Sequence, residues 1–198
     1  MSVQNLSEQE IIRREKKAEL EKLGIDPYPA PLYPVNTTAE YIKTYYKGEE
    51  NKQDFADVCL AGRIMSVRDM GKANFAVIQD GTGKIQFYIK QDDICPEEDK
   101  TLFQQVWKKL IDIGDFVGIK GFVFTTKTGE TSIHVKQFTL LSKALRPLPI
   151  VKEKDGESFD EVTDPEFRYR QRYADLIVNP GVKEVFIKRT KFINAIRT

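Results

Sequence analysis

The chain has 198 residues, enough for one domain with extensions or for two small domains. Its composition, 40% hydrophobic and 31% charged, suits a globular protein and argues against wholesale disorder. The formal net charge of +1 gives no global signal for a nucleic-acid partner, and two widely spaced cysteines predict neither a disulfide framework nor a metal site. The polar, acidic start is unlike a secretory signal and no run of about 18 apolar residues is present, so we expect no membrane partner and a cytoplasmic location.

Residues 1–54 predict a helical extension followed by a stiff connector. Ser7 and Glu10 have the spacing of a capping box, which marks the start of a helix. A basic cluster over residues 13–17 leaves two readings open, a solvated face or a contact with phosphate. The expected elements are a helix over residues 7–23, an extended connector with four prolines over 25–35, a short helix from Thr37 or Thr38 to about Tyr46, and a polar loop up to residue 54.

Residues 55–143 have the pattern of a small β-barrel. The DGTG segment at residues 80–83 is a strong hairpin signal, and Gly62 inside the first strand is typical of the bends that barrels require. Five strands with a helix between the third and the fourth are the element order of the OB fold, a five-stranded Greek-key barrel. We therefore predict an all-β OB-fold domain with flanking helices, α+β overall, with strands over residues 56–68, 74–80, 84–90, 115–125 and 131–141 and the helix over 97–111.

The remainder of the chain predicts a linker and the beginning of another domain. Prolines and a charged, glycine-containing stretch make residues 144–163 a linker. Asp164, followed by proline, predicts a helix through about Leu176. A last helix is expected to begin near Val182, after an Asn-Pro-Gly break. No stop signal closes it before Thr198, so we expect the natural chain to continue.

Groups for catalysis are scarce in this sequence. Its single histidine, His134, falls inside a predicted strand, where a structurally satisfied or surface histidine is the usual outcome. No phosphate-binding glycine loop or dinucleotide fingerprint is present, and one histidine with two distant cysteines does not make a usual zinc site. We therefore expect no catalytic residue and no metal site in this chain.

The polar face of the predicted hairpin holds the residue types that bind single-stranded nucleic acid. Such binding uses basic groups near phosphates and aromatic rings on which bases stack. The strand alternation places Gln86 outward and puts Phe75 and Val77 on the side opposite to Ala76 and Ile78. Arg68 flanks the start of this strand, and Glu130 lies on the side of its own strand opposite to Ile133 and Val135. A plainer interpretation remains open, in which Phe75 is a core residue and the other three are solvated strand residues.

Three segments then resemble one family. The stretches from GRIMSVRDMGK to QFYIK (62–90), from GDFVGIK to LRPLP (114–149) and DPEFRYRQRYADLIVNP (164–180) resemble the N-terminal anticodon-binding region of class II, bacterial-type lysyl-tRNA synthetases. Residues 182–197 resemble the opening of the family's first class II motif, a helix of the dimer interface. By this resemblance, residues 164–198 are the truncated start of a class II catalytic domain.

The resemblance implies a role for each of the four candidates. Phe75 looks like the aromatic on which the middle uridine of the lysine anticodon stacks. Gln86 and Arg68 resemble residues that hydrogen-bond this base or its surroundings, and Glu130 resembles the carboxylate near the same base. Asp69 departs from the family pattern, which favours an apolar or neutral residue beside Arg68. Two effects of this acid stay open: it weakens the basic patch, or it holds the arginine in place.

The resemblance also implies an activity for a full-length parent, which would join lysine to tRNA(Lys) with ATP and Mg²⁺ as a homodimer. The second and third class II motifs are absent here. We therefore expect this chain to bind tRNA, to need no cofactor and to be inactive as a catalyst by itself. Two alternatives stay open, the equivalent domain of an aspartyl- or asparaginyl-tRNA synthetase and a standalone OB-fold module for single-stranded nucleic acid.

Overall fold

The computed structural model describes residues 6–149, 152–154, 157–159 and 164–197. The chain divides into two compact units, Met1–Pro147 and Leu148–Thr198. The first unit contains the N-terminal elements and a barrel, and the second contains the C-terminal helices. Parts of the predicted linker lie outside the described residues, at 150–151, 155–156 and 160–163.

Five strands of the first unit close into a barrel in which all pairs but one are antiparallel. They are β1 (Val58–Asp69), β2 (Ala73–Gln79), β3 (Lys84–Lys90), β4 (Phe116–Thr125) and β5 (Thr131–Ser142). Their order around the barrel is β1-β2-β3-β5-β4, with β3 and β5 parallel. This order, with a helical segment between β3 and β4, is that of the OB fold, so the predicted fold class is confirmed.

Period-two alternation separates the interior of the barrel from its outer face. In β2, Ala76 and Ile78 are buried inside, whereas Phe75 and Val77, which alternate with them, lie on the outer face. β3 repeats this pattern. Because burying one large apolar side chain contributes about 1.5–3 kcal/mol, a shift of register by one residue would be costly, and the outward direction of Phe75 is well determined.

Two glycines allow strands to approach where a side chain would not fit. A Cβ atom on Gly121 would lie 1.9 Å from the carbonyl oxygen of His134, at a bulge between β4 and β5. A Cβ atom on Gly62 would lie 2.5 Å from the carbonyl oxygen of Gln79. The strand glycine at position 62 therefore marks a tight contact in β1, in keeping with its interpretation as a barrel residue.

Two helical segments between β3 and β4 cover one end of the barrel. They are α3 (Gln91–Ile94) and a π-helix (Leu102–Leu110). The indole ring of Trp107 lies 5.8 Å from the ring of Phe87 and 5.5 Å from that of Phe138, both with edge-to-face geometry. The long helix predicted here begins later than expected, and α3 was not predicted.

The N-terminal extension is mostly as predicted. α1 (Glu8–Lys22) begins with the capping box, in which Ser7 and Glu10 bond to each other's backbone N–H. α2 (Ala39–Tyr45) follows the proline-rich connector. The polar loop predicted after it is wrong, since Gly48–Phe55 is 3₁₀-helical on both sides of a kink at Asn51 and its last residue is buried in the core.

The hairpin turn between β2 and β3 also fastens α2 to the barrel. Asp80 Oδ1 accepts hydrogen bonds from the backbone of Thr82 and Gly83, which closes the turn. Its Oδ2 accepts the N–H of Ala39 at 2.7 Å, at the first turn of α2. One carboxylate thus satisfies donors of both elements.

A buried ion cluster joins α1 to the ends of the barrel strands. Lys143 Nζ lies 2.6 Å from Asp112 and 2.7 Å from Asp115, and its side chain is fully buried. From α1, Lys16 also pairs with Asp112 at 2.5 Å, and Arg13 donates to two backbone carbonyls. Residues of the basic cluster are therefore engaged in internal contacts, so neither reading made from the sequence describes Arg13.

The second unit contains a short hairpin and three helical segments among its described residues. They are β6 (Lys152–Lys154), β7 (Glu157–Phe159), α4 (Pro165–Arg170), α5 (Arg172–Val178) and α6 (Pro180–Arg197). The single helix predicted after Asp164 is broken at Gln171, whose backbone leaves the helical region. None of the helices in the described part of the chain has the length and apolar character needed to cross a membrane.

Candidate nucleic-acid interface

One row of side chains crosses all five strands on the outer face of the barrel. Arg68 of β1 is in register with Phe75 of β2, which is in register with Tyr88 of β3. Tyr88 faces His134 of β5 across the parallel pair, and His134 faces Phe122 of β4. The barrel therefore presents four ring-bearing side chains side by side, ending in a guanidinium group.

The rings of this row are in direct contact. The centroids of Phe75 and Tyr88 are 5.0 Å apart with planes inclined at 48°. Tyr88 meets His134 edge to face at 5.2 Å, and His134 stacks on Phe122 at 4.7 Å with planes 20° apart. Such packing orders each ring at little further entropic cost when a ligand stacks on it.

A groove of about 460 Å³ lies along this row, within the usual size range of ligand pockets. It brings together all four residues singled out from the sequence, Arg68, Phe75, Gln86 and Glu130. Sequence reasoning did not assign the other lining residues to the site; they are Met70, Tyr88, Phe124, Thr126, Lys127, Thr128 and His134.

The side chain of Phe75 lies on the outer face of the barrel and not in its core. Its two neighbours in β2, Asn74 and Ala76, are buried in the interior, whereas Phe75 itself is half-buried and lines the groove. The interpretation of Phe75 as a core residue is therefore not what the structure has. A flat aromatic face at a groove is the group on which an unpaired base stacks.

The polar groups of the groove differ in how they are engaged. Gln86 donates from Nε2 to Ser132 Oγ at 2.9 Å, which orients the amide and leaves its carbonyl and its second N–H for a ligand. The side chains of Arg68 and Glu130 form no ion pair or hydrogen bond with any residue that the structure describes. A cation and an anion are thus both available at the groove.

Asp69 does not hold Arg68 in place. Its carboxylate accepts the N–H of Gly71 at 2.8 Å and pairs with Lys108 of the π-helix at 3.3 Å. The hydrogen bond from Gly71 and the pair with Lys108 lower the pKa of Asp69 below its usual value. The strand alternation directs this acid away from the groove, so the basic character of Arg68 is kept.

His134 is held by a carboxylate from outside the groove. Its Nε2 lies 2.7 Å from Asp93 Oδ2 on α3, and Lys136 Nζ donates to the other oxygen at 2.9 Å. Burial raises the pKa of Asp93, but the hydrogen bonds from Lys136 and His134 outweigh it and leave the pKa below its usual value. The expectation of a structurally satisfied histidine is met, although His134 also lines the groove.

Two of the groove residues not assigned from the sequence, Tyr88 and His134, had a signal in the sequence. Tyr88 has the same parity as Gln86, and His134 the same parity as Glu130, so alternation alone places each on the outer face. Their meeting depends on the parallel pairing of β3 with β5, which a sequence pattern does not specify.

Residues 58–141 match the family model described as an OB-fold nucleic acid binding domain, of the tRNA anticodon type. In the structure these residues form the five-stranded OB-fold barrel, so the match and the fold agree. The match begins at the first residue of β1 and ends in β5, so this domain contains the row and the groove.

The chain as a whole is similar to the N-terminal region of lysine–tRNA ligases. It is 57% identical over 198 residues to that of Porphyromonas gingivalis strain W83, covering 100% of this chain and 34% of the relative. It is 55% identical to those of Azobacteroides pseudotrichonymphae and Christiangramia forsetii, covering 98% of this chain in each case and 38% and 33% of the relatives. The chain thus spans about a third of the length of the curated relatives it matches. These names favour the lysine interpretation of the anticodon-binding OB domain over the aspartate, asparagine and standalone alternatives.

Proposed function

We propose that the groove of the OB domain binds the anticodon of tRNA(Lys), with the middle uridine stacked on Phe75. The observation that carries this proposal is the meeting of Phe75, Arg68, Gln86 and Glu130 in one groove on the outer face of the barrel. A stacked base needs a flat ring beside it, and base identity needs polar groups at its edge. Both requirements are met within one cavity.

Each polar group has a distinct task in this proposal. A uracil edge offers one N–H donor between two carbonyl acceptors. Gln86 retains an amide carbonyl and an N–H, which match a neighbouring donor and acceptor of that edge. Arg68 provides N–H donors to a carbonyl or a phosphate, and Glu130 provides an acceptor for an N–H group. A cytosine in the same pose would present a donor and an acceptor in exchanged places.

The activity of the whole protein is part of the proposal. Relatives of three times the length carry the name lysine–tRNA ligase, and we propose that the protein joins lysine to tRNA(Lys) with ATP and Mg²⁺. The described residues contain no cluster of three or more histidine, cysteine or acidic side chains that fits a metal ion. No step of the reaction that uses Mg²⁺ is assigned to the described residues. As part of the same proposal, the whole protein is a homodimer and works in the cytoplasm, where tRNAs are used.

The experiment is a binding titration with anticodon stem-loops. Four RNA hairpins with the lysine sequence and each of the four bases at the middle anticodon position are titrated with the 198-residue chain by fluorescence anisotropy. The proposal predicts the tightest binding for uridine, with a loss of about 1–3 kcal/mol for a mismatched base, taking the cost of losing specific base contacts in nucleic-acid sites as a guide. Equal affinity for all four hairpins contradicts anticodon reading by this groove.

A further inference from the structure

Asp93 determines which nitrogen of His134 carries the proton. An ionised carboxylate has acceptors only, so the proton in the 2.7 Å contact belongs to Nε2 of His134. Lys136 pairs with the same carboxylate at 2.9 Å and balances its charge. Asp93 therefore does not need a charged imidazole as its counterion, and a neutral ring with hydrogen on Nε2 satisfies it. In that tautomer Nδ1 bears a lone pair.

The imidazole ring has little freedom to turn away from this arrangement. It stacks on Phe122 at 4.7 Å, and the rings of Tyr88 and Phe124 meet its edges at 5.2 and 5.8 Å. Nδ1 has no hydrogen-bond partner among the described residues and is not one of their enclosed polar atoms. His134 lines the groove, so a ligand bound there is the candidate partner for this nitrogen.

We propose that His134 is a specificity-determining residue of the groove, held by Asp93 as the Nε2–H tautomer so that Nδ1 accepts a hydrogen bond from an N–H or O–H group of bound RNA. This inference rests on the proposed function, since the donor belongs to the RNA. RNA has two sources of such a donor, a base N–H and a ribose 2′-hydroxyl, and the second is what separates RNA from DNA. Asp93 is then a positioning residue, which acts on the ligand only through His134.

The tautomer can be measured directly because His134 is the only histidine of the chain. Labelling with ¹⁵N-histidine gives one imidazole spin system in the nuclear magnetic resonance spectrum. In the free chain at neutral pH, we expect a protonated Nε2 and a bare Nδ1. In Asp93→Asn the amide can either accept or donate, so the two tautomers should mix. Asp92→Asn is the matched control, since this neighbouring carboxylate is exposed and pairs with Lys90.

Binding of the lysine anticodon stem-loop gives the second measurement. His134→Gln keeps an N–H donor toward Asp93 but has no acceptor at the position of Nδ1, since its carbonyl oxygen lies beside the donor and not across a ring. We expect affinity to fall about 3- to 10-fold, as for the loss of one neutral hydrogen bond. The same variant is then titrated with hairpins that carry a single 2′-deoxy or N3-methyl substitution. The substitution that removes the true donor should cancel the loss caused by the variant.

Several results would overturn the inference. They are a free chain with both nitrogens protonated or with a bare Nε2, equal binding by the wild type and His134→Gln, and a loss that no substitution cancels. Failure of the wild type to bind any hairpin is a different result, since it contradicts the proposed function itself. If binding is selective for uridine and its affinity is the same in wild type and His134→Gln, only the role of His134 is contradicted.

Discussion

Phe75 of β2 and Tyr88 of β3 are directly cross-strand neighbours on the outer face of the barrel, with ring centroids 5.0 Å apart and planes inclined at 48°. Tyr88 supports one side of the phenyl ring, while the groove gives access to the ring from solution. Phe75 is thus held in place before any ligand arrives.

The first prediction concerns the ring of Phe75. In Phe75→Ala, the affinity for the lysine anticodon stem-loop should fall about 5- to 150-fold, since stacking on one aromatic ring contributes about 1–3 kcal/mol. The free energy of unfolding in urea should change much less than for a core phenylalanine, because the ring is outside the barrel. Phe116→Ala is the control, since Phe116 is an exposed ring of β4 that does not line the groove. Collapse of the fold in Phe75→Ala alone would show that the ring is structural.

The second prediction concerns the orientation of Gln86. Ser132→Ala removes the 2.9 Å hydrogen bond that holds its amide, while Ser132 itself is fully buried and does not line the groove. The preference for a middle uridine over cytidine should fall by about 2- to 10-fold, the equivalent of one hydrogen bond. Titration of the two hairpins against wild type, Ser132→Ala and the control Ser142→Ala measures this ratio. An unchanged ratio would mean that Gln86 is not the reader of the base.

The third prediction concerns salt. Arg68 is a groove cation without an ion-pair partner among the described residues. In Arg68→Gln, the slope of log affinity against log salt concentration should become shallower by about 0.7, the value for one phosphate contact to a single strand. Lys84→Gln removes an exposed cation of β3 outside the groove and should leave the slope unchanged. Identical slopes for both variants would place Arg68 away from the RNA backbone.

The fourth prediction concerns the buried cluster that fastens α1. Lys143→Met leaves Asp112 and Asp115 without their shared cation, and removing one partner of a buried pair costs about 3–5 kcal/mol. Lys52→Met is the control, since its pair with Glu49 is exposed and should contribute about 1 kcal/mol or less. Urea unfolding of the two variants gives the comparison. A loss below 1 kcal/mol in Lys143→Met would contradict the importance of the cluster.

The fifth prediction concerns acid. Burial raises the pKa of Asp112, but hydrogen bonds from Lys143 and Lys16 outweigh it, and the folded-state pKa lies below the ordinary value of 3.8. The stability contributed by this carboxylate is therefore present above that value and is lost as the pH falls through the folded-state pKa. Between about pH 5 and pH 2, the free energy of unfolding in urea should fall less in Asp112→Asn than in wild type. The same acid profile in both proteins would contradict this assignment.

The sequence specified the strands and their faces, because alternation has a physical cause that acts locally. Gln86 was placed outward by the apolar residues beside it, and the structure agrees. For Phe75 the alternation left a core position open; only the family resemblance favoured the groove, where the structure has it. Which outer residues become neighbours around the barrel was harder to predict from the sequence, because it depends on how the strands pair when the barrel closes. Tyr88 and His134 meet only because β3 pairs with β5 in parallel, and this pairing joins segments that are distant along the chain.

Helix geometry was the least predictable part of the fold. The polar segment at Gly48–Phe55 became a 3₁₀ helix because burial of its last residue draws it against the core, an effect that no local pattern contains. At the break at Gln171, the buried carboxylate of Asp175 accepts hydrogen bonds from Arg168 of α4 and Arg172 of α5, so it bonds to both short helices. Propensity alone favours one continuous helix there.

A crystal structure of the chain with the lysine anticodon stem-loop tests the central claim most directly. The account predicts one unpaired base face to face with the ring of Phe75, with its polar edge toward Gln86 and with Arg68 and Glu130 around it. A base bound on another surface of the barrel, with the groove left to solvent, would contradict the account.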